Sequence, residues 1–234
     1  METKGVLYLI PNKISETSLD VVVPKYIFTL VSTIRHYIVE DIRTVRRYLR
    51  QLNHEVDING ITFYELNKHT VSTDIADYLK AAENGEDMGL ISEAGLPCVA
   101  DPGNVIVEMA HKKSIRVVPL VGPSSILMAL MASGLNGQNF AFNGYIPIDQ
   151  PDRTRKLREL EARSHREHQS QIFMDTPYRN NRLFCDLKAT LSPQTKLCIA
   201  LNITADDEFI CTKTISEWKK TNVDLNKKPC IFII

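Results

Sequence analysis

Three features of the 234-residue sequence predict an α/β fold built as two α/β domains. Short apolar runs alternate along the whole chain with stretches whose apolar residues recur at helical spacing. Proline and glycine punctuate the junctions between them. Hydrophobic residues make up 44% of the chain and charged residues 24%, a mixture that excludes wholesale disorder and supports packed cores.

In chain order, strands are expected at residues 5–10, 34–40, 61–66, 88–92 and 116–121. Helices are expected between them at 25–33, 42–52, 72–84 and 104–113, with Ser72 as the N-cap of the third. Strand followed by helix, repeated, implies a mostly parallel sheet covered by helices. Ligands of such sheets sit beyond the carboxyl ends of the strands. The cluster Pro119-Leu-Val-Gly-Pro123 is the best boundary, dividing the chain into domains 1–119 and 120–234. Beyond it the pattern continues with helices at 124–132, 154–168 and 180–190. Strands are expected there at 140–146, 171–175, 196–203, 209–212 and 229–234.

Twenty-eight basic residues balance 28 acidic ones. A protein that held nucleic acid by blanketing its phosphates would be basic overall, so any RNA partner must be met by a local patch. Five cysteines, Cys98, Cys185, Cys198, Cys211 and Cys230, form no CxxC pair, which argues against a disulfide framework and a zinc site. The first ten residues read as a strand rather than a signal peptide. The apolar run 126–132 is far short of the roughly 20 residues needed to span a bilayer. A soluble, cytoplasmic protein without metal is expected.

Chemistry concentrates at strand ends. The stretch Ile91-Ser-Glu-Ala-Gly-Leu-Pro-Cys-Val-Ala-Asp-Pro-Gly103 leaves a strand through small residues and two prolines. Small residues let main-chain groups approach a ligand, and proline holds a loop preorganised; an ordinary strand-to-helix turn is the bland alternative. Val121-Gly-Pro-Ser-Ser125 repeats the arrangement one strand later, where the serines also suit a helix cap. Glu40 and Asp41 place adjacent carboxylates where a strand gives way to a helix; either can take a proton, and Asp41 equally suits a cap. On that helix Arg43, Arg47 and Arg50 fall on one face, suited to phosphate or to plain solvation. The helix at 154–168 carries Arg155, Lys156, Arg158, Arg163 and Arg166 diluted by Glu159 and Glu161, which reads as a charged surface. His165-x-x-His168 lacks a third metal ligand.

The residues Leu7-Tyr-Leu-Ile-Pro-Asn12, Val39-Glu-Asp-Ile-Arg43, Ser92-Glu-Ala-Gly-Leu-Pro97 and Ala100-Asp-Pro-Gly103 form the first part of a collinear series. Val118-Pro-Leu-Val-Gly-Pro-Ser124, Ala129-Leu-Met-Ala-Ser-Gly-Leu135, Phe140-Ala-Phe-Asn-Gly-Tyr-Ile-Pro147 and Met174-Asp-Thr-Pro-Tyr-Arg179 complete it. The series resembles the tetrapyrrole methylase superfamily of S-adenosylmethionine (SAM) methyltransferases over nearly the whole chain. It is most similar to the branch that methylates a ribose 2′-oxygen of small-subunit ribosomal RNA. The resemblance implies two α/β domains with a SAM cleft between them, a homodimer, and an RNA acceptor. It implies cofactor contacts from Pro11, Glu93, Ala94, Gly95, Leu96, Pro97, Ser124 and Ser125, and from Met174, Leu201 and Pro229. Arg179 would organise the cleft or contact an anionic acceptor, although an ion pair suits it as well.

Departures from the family pattern fall at the same places. The glycine after the first strand is absent, with Asn12-Lys-Ile-Ser following Pro11. The family's aspartate is Glu93, its two threonines are Ile42 and Val45, and its glutamate is Asp175. A tetrapyrrole or other small-molecule acceptor, and a SAM-binding module without catalysis, are the alternative readings.

Overall fold

The computed structural model describes residues 3–67, 70 and 75–234. The chain forms two compact units, Met1–Ser124 and Ser125–Ile234. The expected N-cap Ser72 and the start of its helix lie outside the described residues.

The first unit is a five-stranded parallel sheet of β1 (Val6–Ile10), β2 (His36–Val39), β3 (Thr62–Glu65), β4 (Met88–Ile91) and β5 (Arg116–Pro119). The strand order is β3-β2-β4-β1-β5, and every pairing is parallel. Helices α1 (Leu19–Val22), α2 (Lys25–Leu30), α3 (Ile42–Leu52), α4 (Lys80–Glu83) and α5 (Asn104–Lys112) lie in the connections. Burial on both faces explains why β4 reads as an unbroken run, Met-Gly-Leu-Ile, with all four residues buried. Two apolar clusters flank the sheet. Ile10, Tyr37, Val45, Tyr48 and Leu49 belong to one, and Leu7, Ile38, Leu90, Ile106 and Ala110 to the other.

Strand order fixes where a ligand can enter. The chain leaving β1 travels past β4 to β2, whereas the chain leaving β4 travels past β1 to β5. Adjacent strands thus send their connections in opposite directions, and the crevice opened at such a switch point is the usual ligand site of a parallel sheet.

The second unit contains α6 (Ser125–Ser133), β6 (Phe140–Tyr145), α7 (Gln150–Glu167), β7 (Ser170–Met174), α8 (Asn180–Thr190), β8 (Lys196–Leu201), β9 (Phe209–Thr214), α9 (Ile215–Trp218) and β10 (Cys230–Ile233). Its sheet order is β6-β7-β10-β8-β9. Only β6 and β7 are parallel; β10 runs antiparallel to both neighbours, and β8 to β9. The mostly parallel arrangement therefore stops at the first unit. The reason is local: β8 passes to β9 through residues 202–208 without a crossover helix, and β10 returns between β7 and β8. Trp218 anchors this unit, donating its indole N–H to the Leu197 carbonyl at 2.8 Å and meeting Phe184 edge-on at 5.5 Å. The buried Arg153 at the start of α7 pairs with Asp186 at 2.6 Å and donates to the Pro147 and Ile148 carbonyls, which explains why α7 begins ahead of residue 154.

Candidate functional site

Three loops meet at the carboxyl end of the parallel sheet. Asn12, buried just after β1, forms a two-way bridge with Gly95: its amide donates to the Gly95 carbonyl at 2.8 Å, and the Gly95 amide donates back at 3.1 Å. The Asn12 side-chain amide donates to the Ser92 and Glu93 carbonyls, both at 3.1 Å. Its carbonyl oxygen accepts from the Lys13 amide at 2.8 Å. Asn12 thus ties the β1 exit to the β4 exit across the switch point.

Gly95 has φ of +69°, a left-handed conformation that L side chains rarely adopt, and a Cβ there would sit 3.4 Å from the Pro123 carbonyl oxygen. Gly122 is packed still more tightly, because any Cβ would collide with the Pro11 ring. Pro11 is buried, and its carbonyl accepts from the Tyr48 hydroxyl at 2.6 Å. The loops after β1, β4 and β5 therefore form one interlocked platform. Glu93 and Ala94 are exposed on it, Leu96 and Ser124 are half-buried, and Gly95 and Pro97 are buried. A rigid main chain with little side-chain cover at Ala94 suits a ligand gripped through backbone groups.

Glu40 follows β2 beside this platform. A recess of about 10 Å³ is lined by Glu40, Ser92, Asp101, Pro102 and Gly103 with apolar residues of β2 and β4. Burial first, then the charges of Asp101 and Glu93, push the Glu40 carboxyl above its ordinary range. Glu93 is pushed up too, by burial and then by Asp41. Asp41 has the opposite character. Its exposed carboxylate accepts from the Thr44 amide at 2.7 Å as the N-cap of α3, and that bond holds its pKa below the usual value. Of the two adjacent carboxyls, Glu40 is the one suited to proton transfer and Asp41 is the helix cap.

From that cap, α3 runs outward with Arg43, Arg46, Arg47 and Arg50 exposed along an open groove of about 500 Å³. Among the described residues no carboxylate lies within 4.0 Å of any of the four. Arg46 is held over the Phe63 ring at 5.8 Å from its centroid. The contrast with α7 is direct: Arg155, Lys156, Arg163 and Arg166 all pair with acidic neighbours on that helix. The carboxylates of α7 neutralise these four cations, whereas the α3 cations remain available to an anion. His165 is exposed in the last turn of the same helix and His168 is exposed at its C-cap, and no group of three metal-ligating residues occurs among the described residues.

In the second unit, Met174 ends β7, Leu201 ends β8 and Pro229 precedes β10. The antiparallel register brings them to one end of the sheet, with Ile231 opposite Met174 and Cys230 opposite Leu201. Met174 is half-buried, Leu201 buried and Pro229 exposed. The Pro229 carbonyl accepts from the Asn202 amide at 3.0 Å, and Asn180 donates to the Lys228 carbonyl at 2.7 Å. Arg179 donates through Nε to the buried Asp175 carboxylate at 2.8 Å, with a second bond from the same guanidinium. Asp175 in turn accepts from the Thr176 amide at 2.7 Å, so the pair fixes the β7 exit.

Three residues of the first unit carry little local signal of their place in the site: Asn12, Asp101 and Arg46. The i, i+3 spacing of Arg43 and Arg46 could have found the last; the first two depend on partners some 80 residues away or on burial.

No family model matches the chain. It is similar to "Ribosomal RNA small subunit methyltransferase I" of Bacillus subtilis (strain 168), 32% identical over 219 residues, covering 91% of this chain and 68% of that protein. The Escherichia coli O157:H7 protein of the same name is 26% identical over 235 residues, covering 99% of the chain and 78% of the relative. For the Pseudomonas aeruginosa protein the identity is 26% over 171 residues, and the match spans 72% of this chain but 59% of the relative. Among solved structures, the methyltransferase CobJ superposes with a TM-score of 0.63 at 14% identity, covering 98% of this chain and 93% of CobJ. That likeness establishes a common fold.

Proposed function

The chain belongs to the ribosomal RNA small subunit methyltransferase I family, and from that membership we propose that it transfers a methyl group from SAM to a ribose 2′-oxygen of small-subunit ribosomal RNA. The observation that supports this most is the continuous stretch from Glu40 to Arg50: a part-buried carboxyl, a helix cap and four arginines with no salt bridge among the described residues follow directly on one another beside the interlocked loops.

When bound, SAM supplies a methyl on a sulfonium whose charge disappears as the methyl leaves. Such a displacement is accelerated chiefly by alignment and exclusion of water. Pro11, the run Glu93, Ala94, Gly95, Leu96 and Pro97, and Ser124 are the proposed donor contacts near the switch point. Ser125, Met174, Leu201 and Pro229 are those of the second unit. Glu40 takes the proton released by the acceptor hydroxyl as the new carbon–oxygen bond forms. Arg43, Arg47 and Arg50, joined by Arg46, bind phosphates of the RNA strand and set its register. Arg179 organises the β7 exit through Asp175. The working form is proposed to be a cytoplasmic homodimer that meets its RNA in the small ribosomal subunit; α6 leaves Met131 83% exposed and Leu127 exposed one turn before it, as an interface would require.

Binding of small-subunit RNA to the Arg43→Ala, Arg47→Ala protein tests the acceptor assignment. Weaker binding with a shallower salt dependence is expected, and unchanged affinity contradicts it.

A further inference from the structure

One member of the α3 arginine stripe is held differently from the rest. Tyr37 on β2 and Phe63 on the edge strand β3 are register partners, and their rings stack with centroids 6.1 Å apart and planes at 27°. Tyr37 is wholly buried and its hydroxyl donates to the Val31 carbonyl at 3.0 Å, so the inner ring is fixed. Phe63 is half-buried against the apolar cluster that also takes in Val45 of α3. Arg46 follows Val45 and lies over the Phe63 ring, its guanidinium carbon 5.8 Å from the centroid. Tyr37, Phe63 and Arg46 thus form a column that rises from the core to the groove lined by the four arginines. Among the described residues, Arg46 is the one member of that stripe with an aromatic contact.

We propose that Phe63 is a positioning residue for RNA binding, holding the Arg46 guanidinium ready for a phosphate in the groove. The proposal rests on the reading of the α3 stripe as the RNA contact. An exposed arginine loses rotamer freedom when it is immobilised at an interface, and that loss subtracts from affinity. A guanidinium over an aromatic face is supported by the ring and keeps its N–H edge for a phosphate. Arg43, Arg47 and Arg50 supply charge to the strand; Arg46 supplies charge at a preset place. Leucine at position 63 would keep an apolar contact with the core and leave every charge of the stripe in place, but it offers no ring face.

The test is a double-mutant cycle on the whole protein. Affinity for unmodified small-subunit RNA is measured across a range of salt for wild type, Phe63→Leu, Arg46→Ala and the pair. Phe63→Leu is expected to weaken binding about 2- to 5-fold, the size of an exposed cation–π contact, with the salt slope unchanged. In the Arg46→Ala background the same change should do nothing further. Phe63→Tyr keeps the ring and should restore the lost affinity. An equal loss from Phe63→Leu with and without Arg46, or no loss at all, overturns the proposal. Should Phe63→Leu not fold, the NMR order parameter of the Arg46 Nε–H in the wild-type protein decides. Motion more restricted than at Arg43, Arg47 and Arg50 is expected, and equal mobility at all four overturns the proposal. Wild-type binding to small-subunit RNA without any salt dependence would instead remove the reading of the stripe itself, and the proposal with it.

Discussion

Pro11 lies so close to Gly122 that a Cβ on the glycine would fall 2.1 Å from the proline Cβ and 2.4 Å from its Cγ. Two loops more than a hundred residues apart are thereby pressed together with no room for a methyl group. Gly122→Ala must push Pro11 and the β1 exit aside. A loss of about 1–3 kcal/mol in urea denaturation is expected, together with weakened SAM binding by calorimetry. Wild-type values for both would show that the loops are not locked as described.

Asn12 distinguishes donor from acceptor. Its amide supplies the Ser92 and Glu93 carbonyls, so Asn12→Ala leaves both short of a donor and should cost about 1–3 kcal/mol. Asn12→Asp should be worse than alanine at neutral pH, because a carboxylate would face the same two carbonyls with nothing to donate. Equal stability of the two variants would contradict this pairing.

The arginine face makes a quantitative demand on salt dependence. Each of Arg43, Arg46, Arg47 and Arg50 that contacts one phosphate contributes roughly 0.7–0.9 to the slope of log affinity against log salt. Single alanine variants should therefore lower that slope by about one unit or less and weaken binding similarly across RNA sequences. Arg155→Ala and Arg163→Ala, whose guanidiniums are already paired on α7, should leave the slope near wild type.

Stability should depend on pH in opposite senses for Glu40 and Asp41. Glu40 has a raised folded pKa, so the folded state binds more protons than the unfolded one just above the ordinary carboxylate range. Its contribution is present below the unfolded pKa and is lost as pH rises through the folded value, so Glu40→Gln should stabilise the protein at neutral pH. Asp41 has a lowered folded pKa; its contribution is present above the unfolded value and vanishes as pH falls through the folded one. Asp41→Ala should therefore destabilise at neutral pH and converge on wild type in acid. Denaturation midpoints between pH 3 and pH 8 measure both.

Much of this was legible in the sequence because it is local. Three strands of the parallel sheet, β1, β2 and β4, announced themselves as apolar runs ended by Pro11, Glu40 and Ser92, and α3 by its cap and spacing. The direction of β10 was not legible, since it depends on Cys230 to Ile233 entering between two strands that are far away in the chain. Thr214 and Glu217 form a capping box whose signature stands in the sequence, yet α9 has only four residues and no periodicity to reveal it. In the site, the loops were recognisable from small residues and proline. The Asn12 bonds and the place of Asp101 in the recess were not, because long-range packing decides both. The sequence marked Asp41 as suited to a cap but left both neighbours as proton acceptors, and burial of Glu40 against the cap bond of Asp41 separates them.

The central claim is most directly tested by incubating the protein with SAM labelled in its methyl group and unmodified small-subunit RNA, then digesting the RNA to nucleosides. Label recovered in a single 2′-O-methylated nucleoside, and lost with Glu40→Gln, is the expected result. SAM binding with no label in any RNA nucleoside would contradict the account.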